Sequence, residues 1–238
     1  MIEVLNYLDD REEEFERHMS IARMLEARVD EIVEEGGARV EVRHINTLKS
    51  GLLIHLYNIV EATMTKTLET VGQTVVKESP NRWTRKVLEE WVRSEVWGSE
   101  ERIGEGALKR LVKVSGTLAS GKNLTKFVVK GVSGSWDDKS VKKVAQSLGC
   151  KLNLTRKVRR DAYEKIYRNE TTAMEYVAER RNAIAHGGST FEDAANDLTL
   201  DKLDEVAKRV LPYLREVSKS YQVFLDNKCY VVEKKVGI

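Results

Sequence analysis

Three polar side chains stand close together in the segment from residue 174 to residue 188, namely Arg181, Asn182 and His186. The imidazole of a histidine titrates near neutral pH and can accept or donate a proton during a reaction. The guanidinium group of an arginine is always charged, and its planar donors fit the oxygens of a phosphate or a carboxylate. Arg181 and His186 therefore offer acid–base chemistry on a substrate that carries negative charge.

These residues are predicted to lie on one helix that ends at His186. Thr172 and Glu175 stand three residues apart, which is the pattern of a capping box at a helix start. Gly187 and Gly188 can adopt the left-handed conformation that ends a helix.

Arg181 falls in the middle of the apolar face of this helix, whereas Arg180 points to the polar side. A charged side chain on a buried stripe is costly unless it is paired or serves a ligand. The position of Arg181 therefore predicts a counter-ion or a bound substrate. The apolar residues that define this face, at about 100° per residue, are Met174, Val177, Ala178, Ile184 and Ala185.

The spacing of an arginine and a histidine alone does not identify a site, because Arg39 and His44 have the same spacing. That second pair stands at a predicted helix start and has no glycine after it, so it predicts no site. A carboxylate that suits Arg181 is Glu61, at the edge of the apolar face of a predicted helix from Glu41 to Val75.

The chain is predicted to be all-α and to form a single domain over residues 1–238. Heptad-like spacing over residues 3–35, followed directly by the helix from Glu41, predicts an antiparallel hairpin. Tryptophans at helical spacing over residues 80–97 predict core packing rather than base stacking. The remaining predicted elements are an irregular, glycine-rich insertion (98–136), a helix from Val141 to Leu148 capped by Asp137 or Asp138, a long helix that Thr199 caps and Pro212 kinks, and a tail (228–238).

The net charge of +2 conceals an uneven distribution, because residues 122–160 hold eleven basic and only two acidic side chains. Such a region attracts a polyanion, although many basic faces are only solvated surfaces. The densest part predicts an RNA-binding stretch, whose basic residues are Lys151, Arg156, Lys157, Arg159 and Arg160.

Cys150 and Cys229 make neither a disulfide framework nor a zinc set, and we expect no metal and no cofactor. His18 and His55 are expected to be lone packing or surface residues. The chain has no apolar run long enough for a membrane span and no signal peptide at its acidic N-terminus, which is typical of a cytoplasmic protein.

The pattern Arg181-Asn-x-x-x-His186-Gly near the end of an all-helical chain resembles the signature of the HEPN superfamily. The stretch Gly188-Ser-Thr-Phe191 and the long last helix resemble a bacterial subfamily of defence and toxin-like HEPN proteins. The segment that ends in Glu61 and the segment Asp137–Gly149 also resemble it, so the resemblance covers most of the chain.

The resemblance implies a helical bundle that dimerises and brings two motifs into one cleft, and in many HEPN proteins this cleft is a metal-independent endoribonuclease. Arg181, Asn182 and His186 match the motif residues, and Glu61 resembles an acidic residue that some HEPN families place near the arginine. The implied function is cleavage of single-stranded RNA that leaves a 2′,3′-cyclic phosphate. The implied setting is phage defence or a toxin–antitoxin pair, with a homodimer and a cognate antitoxin protein as partners.

Two alternatives and one departure from the family pattern stand beside this interpretation. The domain could be a catalytically silent HEPN module that binds RNA or a partner protein. Gly188 occupies the position at which some HEPN toxins carry a tyrosine that their antitoxins modify, which argues against that mode of control. Gly116–Asn123 nearly matches a phosphate-binding loop, but Asn123 replaces the hydroxyl residue that would hold magnesium, so nucleotide hydrolysis is disfavoured.

Overall fold

A computed structural model describes residues 1–29, 31, 39–96, 105–129, 131 and 136–232 of the chain. Over these residues the secondary structure consists of eight α-helices and two short 3-10 helices, with no β-strand. The predicted all-α fold class is therefore confirmed. In chain order the α-helices are α1 (Ile2–Glu26), α2 (Val42–Val75), α3 (Arg85–Val96), α4 (Glu105–Ser120), α5 (Asp138–Leu148), α6 (Arg156–Tyr163), α7 (Ala173–Ala185) and α8 (Leu200–Asp226).

The helices α1 and α2 form the predicted antiparallel hairpin. The ammonium group of Lys66 lies 4.8 Å from the ring centroid of Tyr7, and the Nδ1 atoms of His18 and His55 are 3.3 Å apart. Because a later residue of α1 meets an earlier residue of α2, the two helices run in opposite directions. The expectation that His18 and His55 are isolated was wrong, since this pairing of the helices brings them together.

The first helix was predicted to extend to residue 35. In the structure it ends at Glu26, and residues 30 and 32–38 lie outside the described part of the chain. The second helix has the predicted range to within one residue.

The long helix α8 packs antiparallel to α1 and therefore parallel to α2. Arg23 near the end of α1 binds Asp201 at the start of α8 at 2.6 Å, whereas Arg215 binds Asp9. Pro212 lies inside α8 without ending it. Leucine, methionine and tyrosine side chains between α1, α2 and α8 are fully buried, and this three-helix core supports α7.

The glycine-rich segment 98–136 was predicted to be irregular, and this was wrong for residues 105–120, which form α4. Ala107 and Val114, seven residues apart, are both buried and mark the inner face of this helix. A Cβ at Gly116 would meet no atom within 4 Å, so its glycine reflects no packing constraint. Residues 116–120 of the sequence that nearly matches a phosphate-binding loop form the last turn of α4, residues 121–123 follow the helix, and no strand precedes the match in the described residues.

The tryptophans that the structure describes in residues 80–96 pack in the core, as predicted. Trp83 and Trp91 are buried with an edge-to-face contact of 5.9 Å, and Trp83 also stacks on Phe127. Trp97 lies outside the described residues. In the tail, Tyr230 to Val232 run beside Trp83, and residues 233–238 are not described.

No helix in the described part of the chain is both long and apolar enough to cross a membrane.

Candidate functional site

The start of α7 is fixed by the predicted capping box and by α5. The Thr172 hydroxyl accepts a bond from the Glu175 backbone N–H at 3.2 Å, and the Glu175 side chain accepts one from the Thr172 N–H at 3.0 Å. The same Thr172 hydroxyl donates to buried Asp138 at 2.6 Å, and burial raises the pKa of that carboxyl group. Because the first turn of α7 is held on both sides, the direction of the helix is set.

The apolar face of α7 is covered only in its first half. Met174, Val177 and Ala178 are buried, whereas Ile184 is half-buried and Ala185 is exposed. The last turn of the helix, which ends at the candidate site, therefore presents apolar surface to solvent.

Arg181 lies against α2, the helix on which the sequence predicted its counter-ion, Glu61. Its guanidinium carbon is 4.8 Å from the ring centroid of Tyr57, and its Nη2 atom is 3.6 Å from Oε2 of Glu61. Its Nη1 atom donates to the side-chain oxygen of Asn182 at 3.1 Å. The structure thus brings Arg181, Asn182 and Glu61 into one cluster.

Arg181 remains accessible within this cluster. Its side chain is 28% exposed, and that of Glu61 is 49% exposed. A half-exposed pair separated by 3.6 Å is a weak ion pair. The guanidinium group has five N–H donors, so its solvent-facing side can still bind an anion.

Tyr57 is the residue of this cluster that sequence reasoning did not assign. It is fully buried, and its hydroxyl accepts a hydrogen bond from the backbone N–H of Trp136 at 3.0 Å. Burial raises the pKa of Tyr57, so the hydroxyl stays neutral at physiological pH. Tyr57 precedes Glu61 by four residues and so lies one turn away on the same face of α2. That spacing was the available signal, but the contact with α7 could not be predicted from α2 alone.

His186 is the residue at which α7 ends. Its backbone N–H still bonds to the carbonyl of Asn182 at 3.0 Å, and Gly187 follows in the left-handed conformation with φ of 70°. The imidazole is exposed and makes no hydrogen bond or ion pair with the described part of the chain. It stands five positions after Arg181, which is about 7.5 Å along the helix axis.

Arg180 does not point to solvent, so its predicted orientation was wrong. Its guanidinium group makes two bonds to the carboxylate of Asp197, at 2.8 and 2.6 Å, and another to the carbonyl of Ala194. It also lies 5.0 Å above the ring of Tyr176, and only 14% of the side chain is exposed. The hydrogen bond from Arg180 lowers the pKa of Asp197.

Arg180 therefore holds the loop of residues 187–198 against α7. The other side of this loop is attached to α2, because the Ser50 hydroxyl donates to the carbonyl of Phe191 at 2.6 Å. Within the loop, the Thr190 hydroxyl binds Asp193 at 2.7 Å. The backbone that follows His186 is thus fixed by contacts to two helices.

The predicted RNA-binding residues form a separate surface. Four of them lie on α6, which packs on α8 through bonds from Arg209 to Asp161 and Glu164. In the described part of the chain these side chains make no hydrogen bond or ion pair with Arg181 or Glu61. Arg160 pairs with Asp161 at 2.9 Å. The members of this basic surface, all exposed, are Lys151, Arg156, Lys157, Arg159 and Arg160.

Among the described residues, no group of three or more histidine, cysteine, aspartate or glutamate side chains is arranged to hold a metal ion.

Comparison with known families gives one match, which spans nearly the whole chain. The family described as HEPN_MAE_28990-like HEPN matches residues 3–230, from the beginning of α1 to beyond the end of α8. No curated protein and no solved structure is significantly similar to this sequence. The extent of the family match shows that the chain belongs to the HEPN_MAE_28990-like HEPN family.

Proposed function

We propose that this HEPN-type module is a metal-independent endoribonuclease that cuts single-stranded RNA. The observation that supports this most directly is the geometry of α7. Arg181 lies accessible on Tyr57 beside Glu61, and His186, whose imidazole has no partner among the described residues, follows about one and a half turns later on a backbone held by the loop contacts.

The chemistry of the proposed cut uses these groups. The 2′-hydroxyl attacks the neighbouring phosphorus and gives its proton to a base, while the bond from phosphorus to the 5′-oxygen breaks and that oxygen takes a proton from an acid. The products are a 2′,3′-cyclic phosphate and a 5′-hydroxyl. His186 can act as base or acid because histidine titrates near neutrality. Arg181 stabilises the charge that develops on the phosphorane oxygens.

One histidine cannot act as acid and base in the same step, so the proposal includes a homodimer with both Arg181/His186 pairs facing one cleft. The uncovered end of α7 supports such an interface. Ala185 is exposed and Ile184 half-exposed there, and Phe191 in the following loop is 44% exposed. Apolar surface beside a polar site is typical of a region that another chain covers.

The basic surface of α6 and Lys151 is proposed to hold the RNA backbone. Arg156, Lys157 and Arg159 are exposed, and none of the three pairs with an acidic side chain of the described residues. Contacts of this kind are electrostatic and carry no sequence information. We therefore expect cleavage that tolerates many sequences.

The proposed setting is phage defence or a toxin–antitoxin pair, in which a cognate antitoxin protein restrains the nuclease. Gly188 stands two residues after the motif histidine, so this chain offers no tyrosine there for modification. We therefore expect the antitoxin to inhibit the nuclease by binding directly near the cleft.

A catalytically silent module that binds RNA or a protein is the second candidate. The contact of Arg181 with Glu61 favours it, because a carboxylate 3.6 Å away competes with a phosphate for the guanidinium group.

The experiment that separates the two candidates is incubation of labelled RNA with the purified protein in excess EDTA. Wild type, Arg181→Ala and His186→Ala should be compared with His44→Ala, which alters the other arginine–histidine pair of the same spacing. We expect wild type and His44→Ala to cut and to leave cyclic-phosphate ends, and the other two variants to be inactive. Equal cutting by all four proteins would contradict the proposal, and RNA binding without cutting would support the silent module.

A further inference from the structure

A concave site lies along α2 near the Arg181 cluster. It is a groove of about 780 Å³ between the second half of α2 and residues 125–129, 131 and 136. Its volume falls within the range of about 300–1,000 Å³ that small-molecule sites occupy. We call it the α2 groove, and the lining residues that matter below are Thr65, Glu69, Gln73, Lys126, Phe127 and Trp136.

The α2 groove continues the face of α2 that carries Glu61. Thr65, Glu69 and Gln73 follow Glu61 at intervals of four residues, so all four share one side of the helix. Each interval advances about 6 Å along the axis. Since Glu61 lies 3.6 Å from Arg181, the groove begins about one helical turn from the proposed phosphate position.

The wall of the groove also connects to the cluster. The backbone N–H of Trp136, which lines the groove, donates to the Tyr57 hydroxyl beneath Arg181. A Cβ on Gly131 would lie 2.6 Å from the ring of Trp136, so Gly131 lies directly against this ring. A Cβ on Gly72 would lie 2.2 Å from the carbonyl oxygen of Phe127, so the backbone of Phe127 rests on α2.

The groove has an apolar base and a polar rim. Phe127 and Trp136 are buried, whereas Glu69, Gln73 and Lys126 are exposed. These three rim side chains make no hydrogen bond or ion pair with any other described residue. Apolar side chains beneath polar groups that have no described partner suit a heterocycle with polar edges. The groove does not suit a second phosphate, because the Glu69 carboxylate would repel it.

We propose that the α2 groove binds one nucleobase of the RNA strand whose phosphate lies at Arg181. This inference rests on the proposed ribonuclease function and adds a base preference at one position near the cut. An ionised carboxylate, as Glu69 offers here, accepts hydrogen bonds and donates none. It selects an exocyclic amino group, as acidic side chains do with cytosine. Uracil has no such group, so the groove disfavours uracil.

Photo-crosslinking tests the location without requiring cleavage. The probe is a short RNA with 2′-O-methyl groups, which cannot attack the phosphate, and with one 5-iodocytidine placed at each position in turn. At one position we expect the crosslink to map to the peptide with Lys126 and Phe127 or to the one with Trp136. Crosslinks found only on α6 would overturn the proposal. It would also be overturned if dimerisation made the groove peptides inaccessible whether or not RNA is bound.

Variants of the rim test the base preference. Cleavage of two RNAs that differ only by cytosine or uracil at that position should favour cytosine in the wild type. Glu69→Gln should reduce the preference about tenfold, the order of one base-edge contact. Glu16→Gln on α1, which changes an exposed glutamate with no ion-pair partner among the described residues, should retain it. An unchanged preference in Glu69→Gln, with a native circular dichroism spectrum, would contradict the assignment.

The two proposals can fail separately. Cleavage with crosslinks outside the groove would refute the groove and leave the nuclease intact. A groove crosslink without cleavage of any RNA would support the groove and refute the nuclease.

Discussion

Arg180 and Arg181 are adjacent in the chain, yet their guanidinium groups have opposite surroundings. Arg180 is 14% exposed and bound to Asp197, whereas Arg181 is 28% exposed and lies on Tyr57. The first holds the loop after the helix, and the second is available to a ligand. Stability and activity should therefore depend on different members of the pair.

Alanine substitutions should separate these roles. Arg180→Ala leaves the Ala194 carbonyl and Asp197 without their donor, and we expect it to lower the free energy of unfolding by about 2 kcal/mol. Arg181→Ala removes a weak, solvent-screened pair and should cost less than about 1 kcal/mol, while it abolishes RNA cleavage. Urea unfolding and a cleavage assay on both variants test this. Equal losses of stability in the two variants would contradict this separation of roles.

Replacement of Tyr57 should affect Arg181 through the aromatic ring. Tyr57→Leu removes a cation–π contact of about 1 kcal/mol, so we expect cleavage at saturating RNA to slow by several-fold to about tenfold. Tyr57→Phe keeps the ring but leaves the Trp136 N–H without its acceptor, so it should lose stability more than activity. The pair of variants is compared by single-turnover cleavage and thermal unfolding. If Phe and Leu slow cleavage equally, the ring does not position Arg181.

Glu61→Gln should separate binding from chemistry. The carboxylate contacts Arg181 at 3.6 Å, and under the proposed function it would also compete with the RNA phosphate. We therefore expect slower cleavage at saturation and no loss of affinity for 2′-O-methyl RNA. Weaker binding by this variant would show that Glu61 contacts the RNA favourably.

The basic surface should determine the salt dependence of RNA binding. Each phosphate contact to a single strand contributes a slope of about 0.7 to the logarithmic dependence of affinity on salt. Arg159→Gln should lower the slope by about that amount, whereas Arg17→Gln on the acidic helix α1 should not change it. Arg160→Gln should have a smaller effect, because Asp161 already neutralises this arginine. Identical slopes for wild type and Arg159→Gln would exclude the surface as the RNA-binding site.

Stability should fall when the solution is acidified below the ordinary pKa of histidine, near 6.5. Burial lowers the pKa of His55, with Glu14 opposing this effect and His18 and Arg11 adding to it. A histidine whose pKa is lowered by folding binds fewer protons in the folded state than in the unfolded state. Its contribution to the free energy of unfolding is therefore fully present above pH 6.5 and is lost as the pH decreases through the folded-state pKa. Thermal unfolding between pH 7.5 and pH 5.5 should show less pH dependence for His55→Gln than for wild type. Equal dependence in both proteins would assign the effect to other groups.

The sequence was most informative where local rules decide the structure. The capping box at Thr172, the end of α7 at His186 and the range of α2 depend on nearby residues, and they were predicted. The helix α4 was missed because its glycines dilute a periodicity that Ala107 and Val114 still carry.

The site itself was only partly predictable. A helical wheel assigned Arg181 to the inner side, but it could not show that the loop of residues 187–198 returns to cover Arg180. The contacts of Tyr57 with Arg181 and Trp136 join three distant parts of the chain, and no spacing within one helix encodes them.

The close approach at Gly72 has a consequence for sequence divergence. Any side chain there would collide with the Phe127 carbonyl, so this single position indicates whether residues 125–129 can rest on α2. A homologue with alanine or a larger residue at that position must carry these residues farther out, and its substrate selectivity should differ even if its arginine and histidine are intact. The residue at position 72, which lies outside the motif, thus indicates which members of the family can share the same substrate selectivity.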